Sequence, residues 1–401
     1  MAETTTTAAQ SGMKPGRRPG TKKAALYAGI ALLILLVPIY FQAAPGLGFL
    51  VRIFVIVGIW VLLALGLNIV VGYAGLLDLG YIAFYAMGAY AGVLIGQATS
   101  GVLGGATYWV MLIPGALAGA ITGIALGFPV LRLRGDYLAI VTLGFGEIVR
   151  IALNNDFLGL SNGATGLPRG SEVMVQPGMI DWLSSNVHFM TPFGGEFVFT
   201  SNVFWYFVVV LLCLIAIVVI NRLDDSRLGR AWVAMRENEV AAAACGINIT
   251  TQKLWAFSLG ALSGGVAGVT FAYVQQFISP ESFTFMESVF VVCIVVLGGM
   301  GSIPGVIVGA LLIKGIPDLI QGLAVAGVFK VSGDVNSMIT GYRFLVFGLL
   351  MVVMMAVRPQ GIIPSARRAR ELRPEDERIL EEEDQQMWDV EHRDPGPVDH
   401  P

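Results

Sequence analysis

Long apolar runs separated by short polar stretches dominate the chain. Runs of spanning length lie at about 24–43, 53–72, 80–98, 108–131, 137–153, 203–221, 254–275, 288–313 and 341–357. A helix needs about 20 predominantly apolar residues to cross the hydrocarbon core of a bilayer, so each run reads as a transmembrane element. Two stretches carry breaks. In SVFVVCIVVLGGMGSIPGVIVGALLI the central GGMGSIPG interrupts a helix, because Gly is flexible and Pro lacks an N–H. That run is predicted as two helical pieces, either a re-entrant hairpin or two short spans. The second stretch, GYAGLLDLGYIAFYAMGAYAG at 72–92, has five glycines and one charge, Asp78. Backbone outside a helix at membrane depth is tolerated only against protein or a water-lined cavity. Broken elements that face a midplane site are a usual device of transporters. Gly75, Asp78, Gly80, Tyr81, Gly298, Gly299, Gly301 and Ser302 are therefore candidates for a translocation path. The alternative for the second stretch is a connection near the inner face, with Asp78 solvated or capping the next helix.

Composition sharpens this picture. Of 401 residues, 55% are hydrophobic and 13% charged, where a soluble domain carries about 25% charged residues. The expected fold is an all-α polytopic membrane protein, with about eight to ten transmembrane helices, broken or re-entrant segments and a compact glycine-rich bundle. Gly115, Gly119, Gly123 and Gly127 share one helix face, Gly260, Gly264 and Gly268 another, and Gly305 and Gly309 a third. Small residues at this spacing let backbones approach closely in lipid.

Basic residues set the orientation. Residues 1–23 carry Lys14, Arg17, Arg18, Lys22 and Lys23 and read as a disordered cytoplasmic tail. Arg132 and Arg134, the segment 222–253, and the patch from Arg358 to Arg373 all fall inside by counting crossings. The transmembrane domain then covers 24–357, with 154–202 outside and 222–253 inside. The tail 358–401, basic and then acidic, is largely disordered and cytoplasmic, its basic part lying on lipid head groups. An inside C-tail also requires an even number of crossings after Lys253, which favours splitting the 288–313 run in two.

Little chemistry is written into the chain. Cys213, Cys245 and Cys293 form no pair motif, and His188, His392 and His400 form no ligand cluster. No metal site, bound cofactor or nucleic-acid partner is expected. Nucleophile and Walker motifs are missing, which weighs against a membrane enzyme and places any ATP hydrolysis on another chain. Glu147 and Arg150, three apart inside a span, are a candidate intramembrane ion pair, structural or functional. As the one charged pair read inside a span, they give a stand-alone secondary transporter or channel little to couple with.

One cytoplasmic stretch stands out, RAWVAMRENEVAAAACGIN at 230–248. Its alanines favour helix, and Gly246 is a natural C-cap. The result is a short helix outside the bilayer, charged at one end and small-sided at the other. It either seats in a groove on a partner or merely links two spans.

These residues carry a resemblance. RENEVAAAACGIN and the following KLWAFSLGALSGGVAGV are similar to segments of LivM-type permeases of branched-chain amino acid ABC importers. LNIVVGYAGLLDLGYIAFYAMGAY, LRLRGDYLAIVTLGFGEIVR, TGLPRG and VVLGGMGSIPGVIVGALL agree in the same order, over roughly 55–360. The resemblance implies a permease subunit that moves a branched-chain or other hydrophobic amino acid inward. It implies a coupling helix at Arg236, Glu237, Asn238, Glu239, Ala242 and Gly246 that docks on an ATPase. The match to the general importer pattern is imperfect there, with Val240 in place of its first Ala and Gly246 one residue late. Implied partners are a second, LivH-like permease, two ATPase chains that bind ATP–Mg, and a periplasmic or lipoprotein binding protein met by 154–202 and 276–287. Related permeases for urea, amides or sugars remain the alternative.

Overall fold

The computed structural model describes residues 48–325, with short interruptions, and pieces within 36–41 and 348–364. The longest interruptions are 168–187, where only Ile180 is described, and 191–195. The predicted tails and the runs at 24–43 and 341–357 lie wholly or largely outside the described residues.

Helix α1 is Phe49–Leu67 and continues through a π-helical turn, Asn68–Tyr73. After a non-helical segment come α2 (Ile82–Leu103), α3 (Thr107–Val130) and α4 (Asp136–Asn154). Two short antiparallel strands follow, β1 (His188–Met190) and β2 (Glu196–Val198), with Phe189 opposite Phe197. Then come α5 (Ser201–Asp224), α6 (Arg227–Glu237), α7 (Glu239–Ala244) and α8 (Ile249–Gln275). Next are α9 (Phe285–Gly298) and α10 (Ile303–Ala310); a second π-helical turn, Leu311–Gly315, carries α10 into α11 (Ile316–Val325). Among the described residues, eight helical stretches are long and apolar enough to cross a membrane. The chain is an all-α polytopic membrane protein. Its small β1–β2 hairpin falls inside the polar 154–202 segment, where no strand was expected.

The run 288–313 is indeed two helices around a break. Its second half is longer than hydropathy suggested, since α10, the π turn and α11 run on together to Val325. Lys314 and Asp318 end the apolar run without ending the helix.

Helix α8 is the centre of the bundle, and the glycine ladders explain how. A Cβ on Gly119 of α3 would fall 3.0 Å from the Cα of Gly265, and one on Gly123 would fall 2.8 Å from the Phe257 carbonyl. Gly260 faces Gly66 of α1 and Val70 of the π turn, while Gly264 faces Phe84 and Tyr81 and Gly268 faces Tyr85 and Ala89. Lipid tails are as apolar as leucine side chains, so burial alone does not drive these helices together; close van der Waals approach does. The outer faces read accordingly. Ile113, Ile121 and Phe128 of α3, Ile140 and Ile148 of α4, and Ile215 and Val218 of α5 are all exposed, as a hydrocarbon solvent requires.

The ladder gives a test. Gly119→Val or Gly265→Val should force α3 and α8 apart at a cost of about 1–3 kcal/mol, the usual penalty of overpacking. Gly144, which has open space around it, should accept Ala. Folded yield and unfolding temperature in detergent check this; equal stability of Gly119→Val and the parent protein would contradict it.

Candidate functional site

The two predicted breaks meet at one end of the bundle. At the end of α1 the π turn widens the helix, and Asn68 points across to the GGMGS turn, where its Oδ1 accepts the Gly301 N–H at 2.8 Å. A Cβ on Gly72 would lie 2.6 Å from that same Gly301 nitrogen. The turn is closed from the other side by the chain near its C-terminal end. Ile362 donates to the Leu297 carbonyl at 2.9 Å and Ile363 to the Gly298 carbonyl at 3.1 Å. Ser302 caps α10 through its Oγ and the Gly305 N–H. So Gly298, Gly299, Gly301 and Ser302 form a turn packed in protein, with only Met300 and Gly301 partly accessible.

The segment between α1 and α2 is held just as firmly. Leu76 donates to the Val70 carbonyl, Leu79 to Thr142 Oγ1 of α4, and Ile82 to Ser288 Oγ of α9. Tyr81 is fully buried and its hydroxyl donates to the Gly260 carbonyl of α8 at 2.8 Å, beside Ser263. Gly80 has Thr142 directly against it. Asp78 is not solvated, as a simple connection would leave it. It is completely buried, and its Oδ1 accepts the Gly80 N–H at 2.9 Å. Its Oδ2 has no hydrogen-bond partner among the described residues.

The charged stretch at 222–253 presses on this junction. It is two helices, not the single one expected. Asn238 leaves helical geometry at φ −155°, ψ 110°, and its side chain accepts the Val240 and Ala241 N–H groups, so it starts α7 afresh. Asn is a strong N-cap for this reason. Gly246 takes φ +85° and closes α7: its N–H reaches the Ala243 carbonyl and the Ile247 N–H reaches Ala242. This is the paired-bond helix ending for which glycine is preferred.

Three ties fasten the element to the bundle. Trp232 is buried and donates to the Gln252 carbonyl of α8. Lys253, 2% exposed, pairs with Glu239 at 2.8 Å. Arg236 donates to the Gly72 carbonyl at 2.9 Å. Its stem lies over Gly75, which has φ +70° and where a Cβ would fall 2.6 Å from Arg236 Cγ. Gly75 is thus glycine for two reasons, conformation and room. Ala242 faces the protein and is buried, whereas Glu237, Asn238, Val240, Ala241, Ala243 and Ala244 are exposed.

Glu147 and Arg150 do pair on α4, and Arg150 also reaches Glu281 at 3.2 Å, in the loop before α9. A second charged pair inside the spans was missed: Glu287 of α9 with Lys314 of the second π turn, 3.2 Å apart. Both residues bound the 288–313 run, and a search for uninterrupted apolar sequence stops at such charges. Asn68 and Lys253 were missed as site residues too. The signal for Asn68 was a lone amide at the end of an apolar run. Lys253 counted only as a loop charge. Among the described residues no cluster of His, Cys, Asp and Glu could hold a metal ion.

The buried carboxyl offers a test. Asp78→Asn keeps an acceptor for the Gly80 N–H and should fold normally. Asp78→Leu strands that donor and should cost about 1–3 kcal/mol. Unfolding temperature and folded yield separate the two; equal damage from both variants would mean that the charge itself is required.

The matches to known proteins agree with this architecture. A family model described as the permease component of the branched-chain amino acid transport system matches residues 49–355. The LivM permease protein of the high-affinity branched-chain amino acid transport system of Salmonella typhimurium is 44% identical over 345 residues, 84% of this chain and 75% of that protein. Its Escherichia coli counterpart is 43% identical over 341 residues, with the same shares. The Salmonella typhimurium LivH permease protein is 26% identical over 310 residues, 76% of this chain and 91% of that protein. No solved structure matches. The chain therefore belongs to the family of permease components of the branched-chain amino acid transport system.

Proposed function

We propose that this chain is the membrane-spanning subunit of an ATP-driven importer that moves branched-chain or other hydrophobic amino acids inward. It works beside a second, LivH-like permease. Two ATPase chains bind ATP–Mg and hydrolyse it, and a binding protein delivers substrate from outside. The α6–α7 element and both termini face the cytoplasm, in keeping with the basic residues around 222–253.

The observation that carries this reading is the two-sided character of α6–α7. One side is tied into α8 and α1 through Trp232, Lys253 and Arg236. The other presents Val240, 65% exposed, with Ala241, Ala243 and Ala244, small side chains that allow close seating against a partner. A linker with no partner has no need of an exposed apolar face outside the bilayer. When the ATPase pair closes, it moves the element, and the ties carry that motion into the broken segments of the spans.

Docking should be probed at Ala243 and Val240, not at Glu239, whose carboxylate is engaged by Lys253. Ala243→Trp and Val240→Asp should leave the chain inserted and abundant. The ATPase should be lost on purification and uptake should fall about tenfold or more, as expected when a well-packed interface anchor is disrupted. Asp225→Asn, at an exposed site on the same loop, is the control. Normal uptake with the ATPase still bound in both variants would reduce the element to a linker.

A further inference from the structure

The Glu287–Lys314 pair lies apart from the α6–α7 junction, and its surroundings are specific. Lys314 Nζ is 3.2 Å from Glu287 Oε2, 3.9 Å from the centroid of the Trp60 ring and 4.5 Å from that of Phe290. The two rings meet edge-on, 6.5 Å apart. The Lys and Glu side chains are 12% and 28% exposed, mostly sheltered but reachable. Lys314 stands in a π-helical turn, a feature frequent at functional sites because it widens the helix and re-aims a side chain.

Depth makes the arrangement informative. Lys314 is eleven residues beyond the start of α10, Glu287 eleven before the end of α9, and Trp60 eleven beyond the start of α1. At 1.5 Å per residue Lys314 and Trp60 are about 16 Å along their helices, near the middle of a hydrocarbon core about 30 Å thick, and Glu287, in the first turn of α9, meets Lys314 at that level. Charges at that depth are costly and mark function more often than architecture. Transport sites lie near the midplane, beside helices that depart from regular geometry.

One carboxylate, one ammonium and two aromatic faces form the complement of a zwitterion with an apolar side chain. We propose that Glu287 and Lys314 form a midmembrane relay site for a zwitterionic α-amino acid. The ligand opens the pair: its ammonium goes to Glu287 and its carboxylate to Lys314. Its side chain rests against Trp60 and Phe290, and Trp60 can also face the ligand's ammonium, since aromatic faces attract cations. Without ligand the two charges neutralise each other, so neither is left unpaired in a low-dielectric surround. The ligand must open the existing pair before it can form its own, a cost that tempers its affinity and suits a site that must release what it takes. This inference deepens the importer reading and rests on it.

The test uses the full complex with its binding protein in proteoliposomes, reading leucine uptake and ATP hydrolysis together. Lys314→Met and Glu287→Gln each leave one charge alone, so abundance and assembly are read first and uptake is expressed per assembled complex, with ATP hydrolysis recorded alongside. Uptake should fall about tenfold or more, the scale of removing one partner of a sheltered charge pair. If either variant assembles poorly, Lys314→Arg and Glu287→Asp keep the charges; they should raise the KM for uptake with hydrolysis unchanged. Uptake within about twofold of the parent in Lys314→Met or Glu287→Gln would overturn the site. So would a parallel loss of abundance, hydrolysis and uptake that the swap Glu287→Lys with Lys314→Glu fully restores, since that is the signature of a structural tie. A parent complex that takes up no amino acid would overturn the importer reading itself, a result distinct from failure of the variants alone.

Discussion

Hydrocarbon offers no hydrogen bonds, so every backbone N–H and C=O inside the bilayer must be satisfied by the protein. This one constraint organises the molecule. It makes regular helix the default along the spans, and it allows irregular backbone only where other parts of the chain can cover it. At the end of the bundle where α6–α7 sits, the irregular pieces are the π turn at Asn68–Tyr73, the segment from Ala74 to Tyr81 and the turn at Gly299–Ser302. They are covered by Asn68, Thr142, Ser288, Arg236 and the backbone of Ile362 and Ile363. The polar contacts of the bundle therefore collect where the helices are broken, and the junction follows from the breaks.

That concentration has a mechanical consequence. Arg236 binds a carbonyl of the π turn, and the same turn contacts Gly301 through Asn68. A displacement of α6–α7 reaches α1, α8 and the α9–α10 turn within a few bonded contacts. Packed interfaces of this kind are bistable more readily than continuously deformable. In a permease this is the useful property, because opening to one side must accompany closing to the other.

Much of this was legible in the sequence, for stated reasons. Glycines four apart declare a close-packed face, and α3 and α8 meet along those faces. GGMGSIPG breaks the helix, and Gly299–Ser302 within it is a turn. Gly246 ends a helix as glycine does. What escaped notice was non-local. Asn238 looks like one polar residue in a charged helix, and only its geometry shows it as a cap between two. Asp78 reads as solvated or as a helix cap, and its complete burial shows only once the Leu79 N–H is seen to meet Thr142 Oγ1, 63 residues on. Glu287 and Lys314 were hidden by the search for uninterrupted apolar runs, although their separation by α9 and α10 folds them face to face. By contrast, the small β1–β2 hairpin carried a local signal that went unread: Pro192 and the Gly194–Gly195 pair stand between its two strands.

The central claim is that motion imposed on α6–α7 is carried into the broken segments through Arg236 and Asn68. Deuterium exchange on the assembled complex, with and without a non-hydrolysable ATP analogue, measures it most directly. The account predicts that exchange at Asn68–Tyr81 and Met300–Ser302 changes together with exchange at Glu239–Gly246, and that Arg236→Ala uncouples the two. Exchange that changes at Glu239–Gly246 alone in the parent complex would contradict it.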